Sequence, residues 1–217
     1  MRKTLRVLAA AAAVSFGFAA ASQAATVNYA NTDPTPKAQL TIDDAAAPNT
    51  LRFSLSTLVG TADYLGLGFN FDGLLTQASL TLVSATRLDG TAITPILELF
   101  GNGTTQVSDC GSGCNFNGSG SASLFDYIVR IGSNGGGNGG NNYVASVVFD
   151  IATTAELSDF SQFAFRAQET SNPGGSIKAD LVPQQPAPVP LPASAVLLLA
   201  GMGGLASLRR RKAAAAV

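Results

Sequence analysis

Between about residue 26 and residue 182 the chain reads as short runs in which every second residue is apolar, the period of a β-strand with one buried face. Leu51, Phe53 and Leu55 alternate with Arg52, Ser54 and Ser56, and Leu65, Leu67, Phe69 and Phe71 alternate with Gly66, Gly68 and Asn70. The same period predicts strands at Ala78, Leu80 and Leu82; at Phe125, Tyr127, Val129 and Ile131; at Val147, Phe149 and Ile151; at Phe163, Phe165 and Ala167; and at Ile177, Ala179 and Leu181. Shorter signals at 27–29, 40–42 and 96–100 bring the set to nine or ten. Asp72-Gly73, Asp89-Gly90 and Asn172-Pro173-Gly174-Gly175 break the chain between runs, and no helical period intervenes beyond a turn near 155–160. Many short strands without crossover helices predict an all-β fold, an antiparallel two-sheet β-sandwich of jelly-roll-like form over residues 25–182.

Glycine usage refines this picture. Twelve of the 23 glycines fall within 101–142, in two loops that flank the strand at 124–131. The run 132–142 contains only Gly, Ser and Asn, and it lacks the strand-turn-helix context of a phosphate-cradling loop. It reads as a flexible hairpin connection.

The alternation stops at both ends. Residues 1–24 place Arg2, Lys3 and Arg6 before an apolar stretch at 7–21 and close on Ser22-Gln23-Ala24, the three-part plan of a secretory signal peptide. The stretch is shorter than the roughly 20 residues of a bilayer span, and the small-x-small ending puts cleavage between Ala24 and Ala25. At the other end, residues 183–192 hold five of the ten prolines, a composition that makes an extended, semi-rigid linker. Residues 193–208 then carry no charge and, as a helix rising about 1.5 Å per residue, would span about 24 Å. This predicts a single transmembrane helix, stopped by Arg209, Arg210, Arg211 and Lys212, which stay on the cytoplasmic side and leave the body outside. Ala200, Gly201, Gly203 and Gly204 give that helix a small-residue flank. The tail 213–217 has no reading.

Val189-Pro190-Leu191-Pro192-Ala193, followed at once by a short apolar segment and a basic cluster, resembles the PEP-CTERM class of bacterial sorting signals in its VPLPA variant. The resemblance covers about 189–212. It implies export, transient anchoring in the inner membrane, and processing by signal peptidase and then by an exosortase, a membrane-embedded cysteine transpeptidase. The product joins the cell surface or the extracellular polysaccharide matrix of a Gram-negative-type bacterium. A Gram-positive sortase signal also begins Leu-Pro, but in Leu191-Pro192-Ala193-Ser194-Ala195 the Thr and Gly that it needs are missing, Ser194 and Ala195 standing in their places. The tail of the body, Phe163 to Gln168 followed by Gly174-Gly175-Ser176-Ile177-Lys178, resembles the last two strands of many exported PEP-CTERM proteins, in which an Arg-x-Gln strand precedes a Lys-bearing one.

Charge and chemistry narrow the function. Seven of the 13 cations lie in the two end segments, so residues 25–182 carry six cations against 14 anions, a balance of −8 that repels a nucleic-acid backbone. The absence of His removes Ser-His-Asp and Cys-His catalysis. Cys110 and Cys114 are the only cysteines, and after export they are expected to form a disulfide. The glycines between them allow so short a ring, whose closure is worth about 2 kcal/mol, enough to stiffen a loop tip. Asp109, Asn115 and Asn117 form the most oxygen-rich stretch and the candidate for a structural calcium ion; no other cofactor is implied. The chain has no Trp and four Tyr, and its 12 Phe fall mostly on apolar strand faces, as core residues rather than sugar platforms. The expectation is a non-catalytic structural or interaction protein with extracellular polysaccharide as the candidate partner. A carbohydrate-binding module is the first alternative and a secreted hydrolase working with carboxylates alone the second.

Overall fold

The computed structural model describes residues 25–184 apart from 112, 119–121, 133–142 and 174. Ala24 and the rest of the leader, nearly all of the glycine-rich run, the Val189 to Ala193 motif, the membrane segment and the Arg209 to Lys212 cluster lie outside the described residues. Within them the fold is all-β and antiparallel. Ten strands run β1 (Thr26–Ala30), β2 (Lys37–Ala47), β3 (Thr50–Val59), β4 (Asp63–Phe71), β5 (Leu80–Arg87), β6 (Glu98–Gly101), β7 (Tyr127–Arg130), β8 (Val144–Ala152), β9 (Phe160–Gln168) and β10 (Ser176–Pro183). Each corresponds to one alternating run in the sequence. Ala78 falls in a short 3-10 turn, Gln77–Ser79, rather than in β5, and the turn expected near 155–160 is a 3-10 turn at Leu157–Asp159.

The strands form one sheet in the order β5-β8-β3-β2-β1-β10-β9-β4-β7-β6. The two sheets expected of a sandwich are thus two five-stranded halves of a single sheet, joined where β1 meets β10 and curled until it nearly closes. Its edges, β5 and β6, do not pair. Between them the Gln77 side chain takes the place of a strand: its Nε2 donates to Leu97 O at 2.8 Å and its Oε1 accepts from Leu99 N at 2.7 Å.

Inside the curl lie the apolar faces that the alternation predicts. Leu51, Phe53 and Leu55 of β3, Val147, Phe149 and Ile151 of β8, and Ile177, Ala179 and Leu181 of β10 are all buried. Aromatic rings fill the centre: Phe53 stacks on Phe149 at 5.4 Å and Phe71 on Phe160 at 4.4 Å, spacings at which ring pairs add to burial. Two buried hydroxyls are satisfied. Tyr127 OH donates to Gly73 O at 2.9 Å and accepts from Leu75 N at 3.0 Å, while Tyr64 OH lies 3.0 Å from Thr57 Oγ1. Asn31, buried after β1, holds the turn into β2 by donating to Pro34 O and Pro36 O and accepting from Ala38 N at 2.6 Å.

One departure matters for function. Leu65 and Phe125, expected on the same face as their neighbours, instead pack outside the curl with Cys110, Cys114, Phe116, Ile128 and Ala164, forming a second small core. Its cause is the excursion between β6 and β7, whose described residues around Val107, Cys110, Cys114, Phe116, Ala122 and Phe125 fold back over the outer face of β4, β7 and β9. A register shift between Tyr64 and Gly66 in the β4–β9 pairing lets Tyr64 and Leu67 face inward while Leu65 faces the flap.

Candidate functional site

A broad cavity follows from the path of β10. This strand pairs with β9 as far as Leu181↔Phe163 and with β1 from Val182↔Ala30 and Pro183↔Tyr29, after which Gln184 N donates to Asn28 O at 2.7 Å. Crossing from one half-sheet to the other, it leaves the start of β9 and the start of β1 without a strand between them. The wedge is an open groove of about 980 Å³. Val27, Tyr29, Leu157, Phe160, Phe163 and Leu181 give it an apolar wall, and Tyr29 packs on Phe163 with ring centroids 4.6 Å apart.

Its rim is acidic. Asp44, Glu156 and Asp180 line the opening, with Ser158, Ser161 and Gln162 between them. Two of these carboxylates are engaged in holding backbone: Asp44 Oδ1 accepts from Ala25 N at 2.8 Å and Asp180 Oδ1 from Ala122 N at 2.8 Å. Gln162 adopts a left-handed backbone conformation, φ 52°, uncommon for a residue with a side chain. Its Oε1 accepts from Asn70 Nδ2 at 3.0 Å and its Nε2 donates to Leu124 O at 3.2 Å, which ties the groove wall to the flap. Such a site suits an apolar or amphipathic chain whose polar parts are neutral or cationic.

A second, more polar hollow lies alongside, bordered by Asn70, Asp72, Asp126 and Asp159. Asp126 Oδ2 accepts from Phe71 N at 3.1 Å and Asp159 Oδ2 from Glu156 N at 2.9 Å. Among the described residues no group of three His, Cys, Asp or Glu side chains is placed to share a metal ion. In the stretch named for calcium, Asp109 Oδ1 accepts from Gly111 N at 2.7 Å, and Asp109 and Asn115 bridge across the cysteine turn.

Cys110 and Cys114 lie at disulfide-bonding distance with Cα atoms 5.1 Å apart. Gly111 and Gly113 both take positive φ, 77° and 74°, which is why this ring closes where other residues would strain it. The pair does not sit at a loop tip, as the glycine-rich surroundings suggested. Both cysteines are fully buried against Gly66 of β4, so the link stiffens the flap from within at the point where it packs on the sheet.

Among the titrating groups, Asp63 at the start of β4 is held above the usual carboxylate range, mainly by burial, while the hydrogen bond from Gln168 Nε2 at 3.0 Å opposes the shift and the charge of Glu169 adds to it. Arg52 makes a two-pronged contact with Asp150, opposite it on β8, at 2.8 and 2.9 Å. Of the residues singled out in the sequence, Ala25 opens the described body and the cysteines are brought together; the groove has no signal in the alternation, because it depends on which neighbour β10 chooses at each end. Among the described residues no helix is long and apolar enough to cross a membrane. No family model matches the chain, and no curated protein and no solved structure is similar to it.

Proposed function

We propose that the chain is an exported bacterial protein of the cell surface or extracellular matrix, delivered by an N-terminal secretory signal and a C-terminal exosortase-type signal, with a structural or interaction role rather than a catalytic one. The observation that carries this reading is the order of parts after residue 188: the Val189 to Ala193 motif, an uncharged apolar segment and the Arg209 to Lys212 cluster. The body's C-terminal border supports it: the last strand ends at Pro183, where the linker begins. In this reading the two facing half-sheets are a jelly-roll-like sandwich that carries surface sites, and the buried Cys110–Cys114 pair fits an oxidising compartment.

Intact mass of the protein from membrane and culture-fluid fractions of its host, with and without reductant, tests the reading. The expected released form begins at Ala25, ends near the Pro-rich linker and gains about two mass units on reduction. Recovery only in the membrane with 209–217 intact would overturn the sorting assignment.

A second reading, binding of a neutral glycan in the groove, is favoured by the apolar wall and hydroxyl- and amide-bearing rim at the β1/β10 switch. A glycan array would show enrichment of neutral glycans that Tyr29→Ala abolishes; no enrichment over a charge-matched control would end it.

A further inference from the structure

Charge counting isolates two cations. Of the body's six, Lys37 pairs with Asp33 at 3.0 Å, Arg52 with Asp150 at 2.8 Å and Arg130 with Glu98 at 3.1 Å, and Arg87 lies beside Asp89. Arg166 and Lys178 differ. All 14 acidic side chains are among the described residues, and none of them pairs with either cation. Yet the two are direct partners in the β9–β10 register, Lys178↔Arg166. Their neighbours Phe165, Ala167, Ile177 and Ala179 fill the core, so both side chains stand on the outer face. Like charges directly opposite on paired strands destabilise a sheet, and partial burial increases that cost. Burial is the main cause lowering the pKa of each, and for Lys178 the charge of Arg166 is the next.

The geometry around them is that of a prepared receptor. Arg166 Nη1 is fixed by donating to Ala167 O at 2.7 Å, Ser176 Oγ at 3.0 Å and Ile177 O at 3.1 Å, while its Nε is buried with no partner. The Lys178 ammonium has no hydrogen-bond partner among the described residues. The flap closes one side: Gly118, at φ 105°, comes so near that a Cβ there would lie 3.4 Å from Lys178 Nζ. A folded chain with 14 acids leaves these two donor groups facing each other with no carboxylate between them.

We propose that Arg166 and Lys178 form a site for one oxyanion group, carried in this setting by an acidic sugar residue of the surrounding polysaccharide. A carboxylate or sulfate between them accepts charge-assisted hydrogen bonds from both and removes their mutual repulsion. The net charge of the rest of the body repels a long polyanion, so the site takes a single group presented by a chain end or side residue. The sugar part of the proposal rests on the matrix reading; the oxyanion part does not.

The test uses the protein recovered from its host and follows thermal unfolding at constant ionic strength as chloride is exchanged for sulfate, or for glucuronate with glucose as the neutral control. Both anions should give a saturable rise in midpoint. Lys178→Gln should abolish it or weaken the apparent affinity about tenfold or more, Lys178→Arg should retain it, and Lys37→Gln should leave it unchanged. General salting-out by sulfate is linear in concentration and survives in Lys178→Gln, so that result, or no saturable response at all, overturns the site. Saturable sulfate binding without glucuronate binding overturns the sugar assignment and leaves an inorganic-anion site. The intact-mass experiment reports on the matrix reading separately.

Discussion

A methyl group added at Gly66 tests how closely the flap's disulfide packs on the sheet. Gly66 lies on the outer face of β4, and a Cβ there would come 2.8 Å from Cys114 Sγ, 3.3 Å from Cys110 Sγ and 3.4 Å from Ile128 Cγ2. Comfortable contact between such atoms needs about 3.5 to 4.0 Å, so the sulfur would have to retreat by roughly an ångström. It cannot do so alone, because Cys110 and Cys114 are tied to each other by Cys110 N donating to Cys114 O at 2.7 Å as well as through their sulfurs. Gly66→Ala should therefore cost about 1 to 3 kcal/mol, the usual range for overpacking a closed core. For a body of this size that is a drop of roughly 2 to 12 °C in the midpoint, measured by circular dichroism with the chain oxidised. The decisive arm is a double-mutant cycle. In a Cys110→Ala/Cys114→Ala background the obstructing sulfurs are gone, and Gly66→Ala should cost less than about half as much. Equal costs in the two backgrounds would show that the sulfurs do not press on β4, and the account of the second core would fail.

Three further outcomes follow from the geometry. Because the folded pKa of Asp63 is raised, its penalty is absent below the unfolded value of about 3.9, grows as pH rises through the window up to the folded value, and is complete above it; Asp63→Asn, which keeps an acceptor for Gln168, should be more stable than the parent at pH 7 and no more stable near pH 3. Asn31→Ala removes three hydrogen bonds around the β1–β2 turn and should cost about 2 to 4 kcal/mol in urea titrations; a loss below about 1 kcal/mol would mean that water replaces them freely. Reduction of the disulfide should weaken sulfate binding at Arg166 and Lys178 without unfolding the body, since Gly118 follows closely on the ring that the disulfide stiffens; an unchanged affinity would separate the flap from that site.

The strands were legible because each inward face is a run of apolar residues at a period of two, and nothing between residues 26 and 182 offers a competing long helical period. Face assignment failed at Leu65 and Phe125, where the outer surface is also buried: an alternation rule assumes one wet face, and the flap removes it. The same blindness put the cysteines at a loop tip. Their spacing and glycines show that they can bond, but only the fold shows that they bond underneath a second layer. The groove and the Arg166–Lys178 pair were invisible for another reason. Both are properties of register, which strand β10 accompanies at Val182 and which residue stands opposite Lys178, and single-strand patterns carry no such information.

The amide of Gln77 also determines where this molecule can breathe. Apart from the short β1–β10 seam, neighbouring strands around the curl are laced by longer ladders, and opening any of these disrupts several hydrogen bonds at once. Between β5 and β6, among the described residues, the Gln77 side chain spans the gap with two. A cheap excursion from the native state is a parting along that meridian, and Leu99 N should exchange its hydrogen for deuterium long before the amides of β3 or β9. The same parting bares the backbone edge of β6, so self-association, wherever the protein is crowded, has a place to begin there.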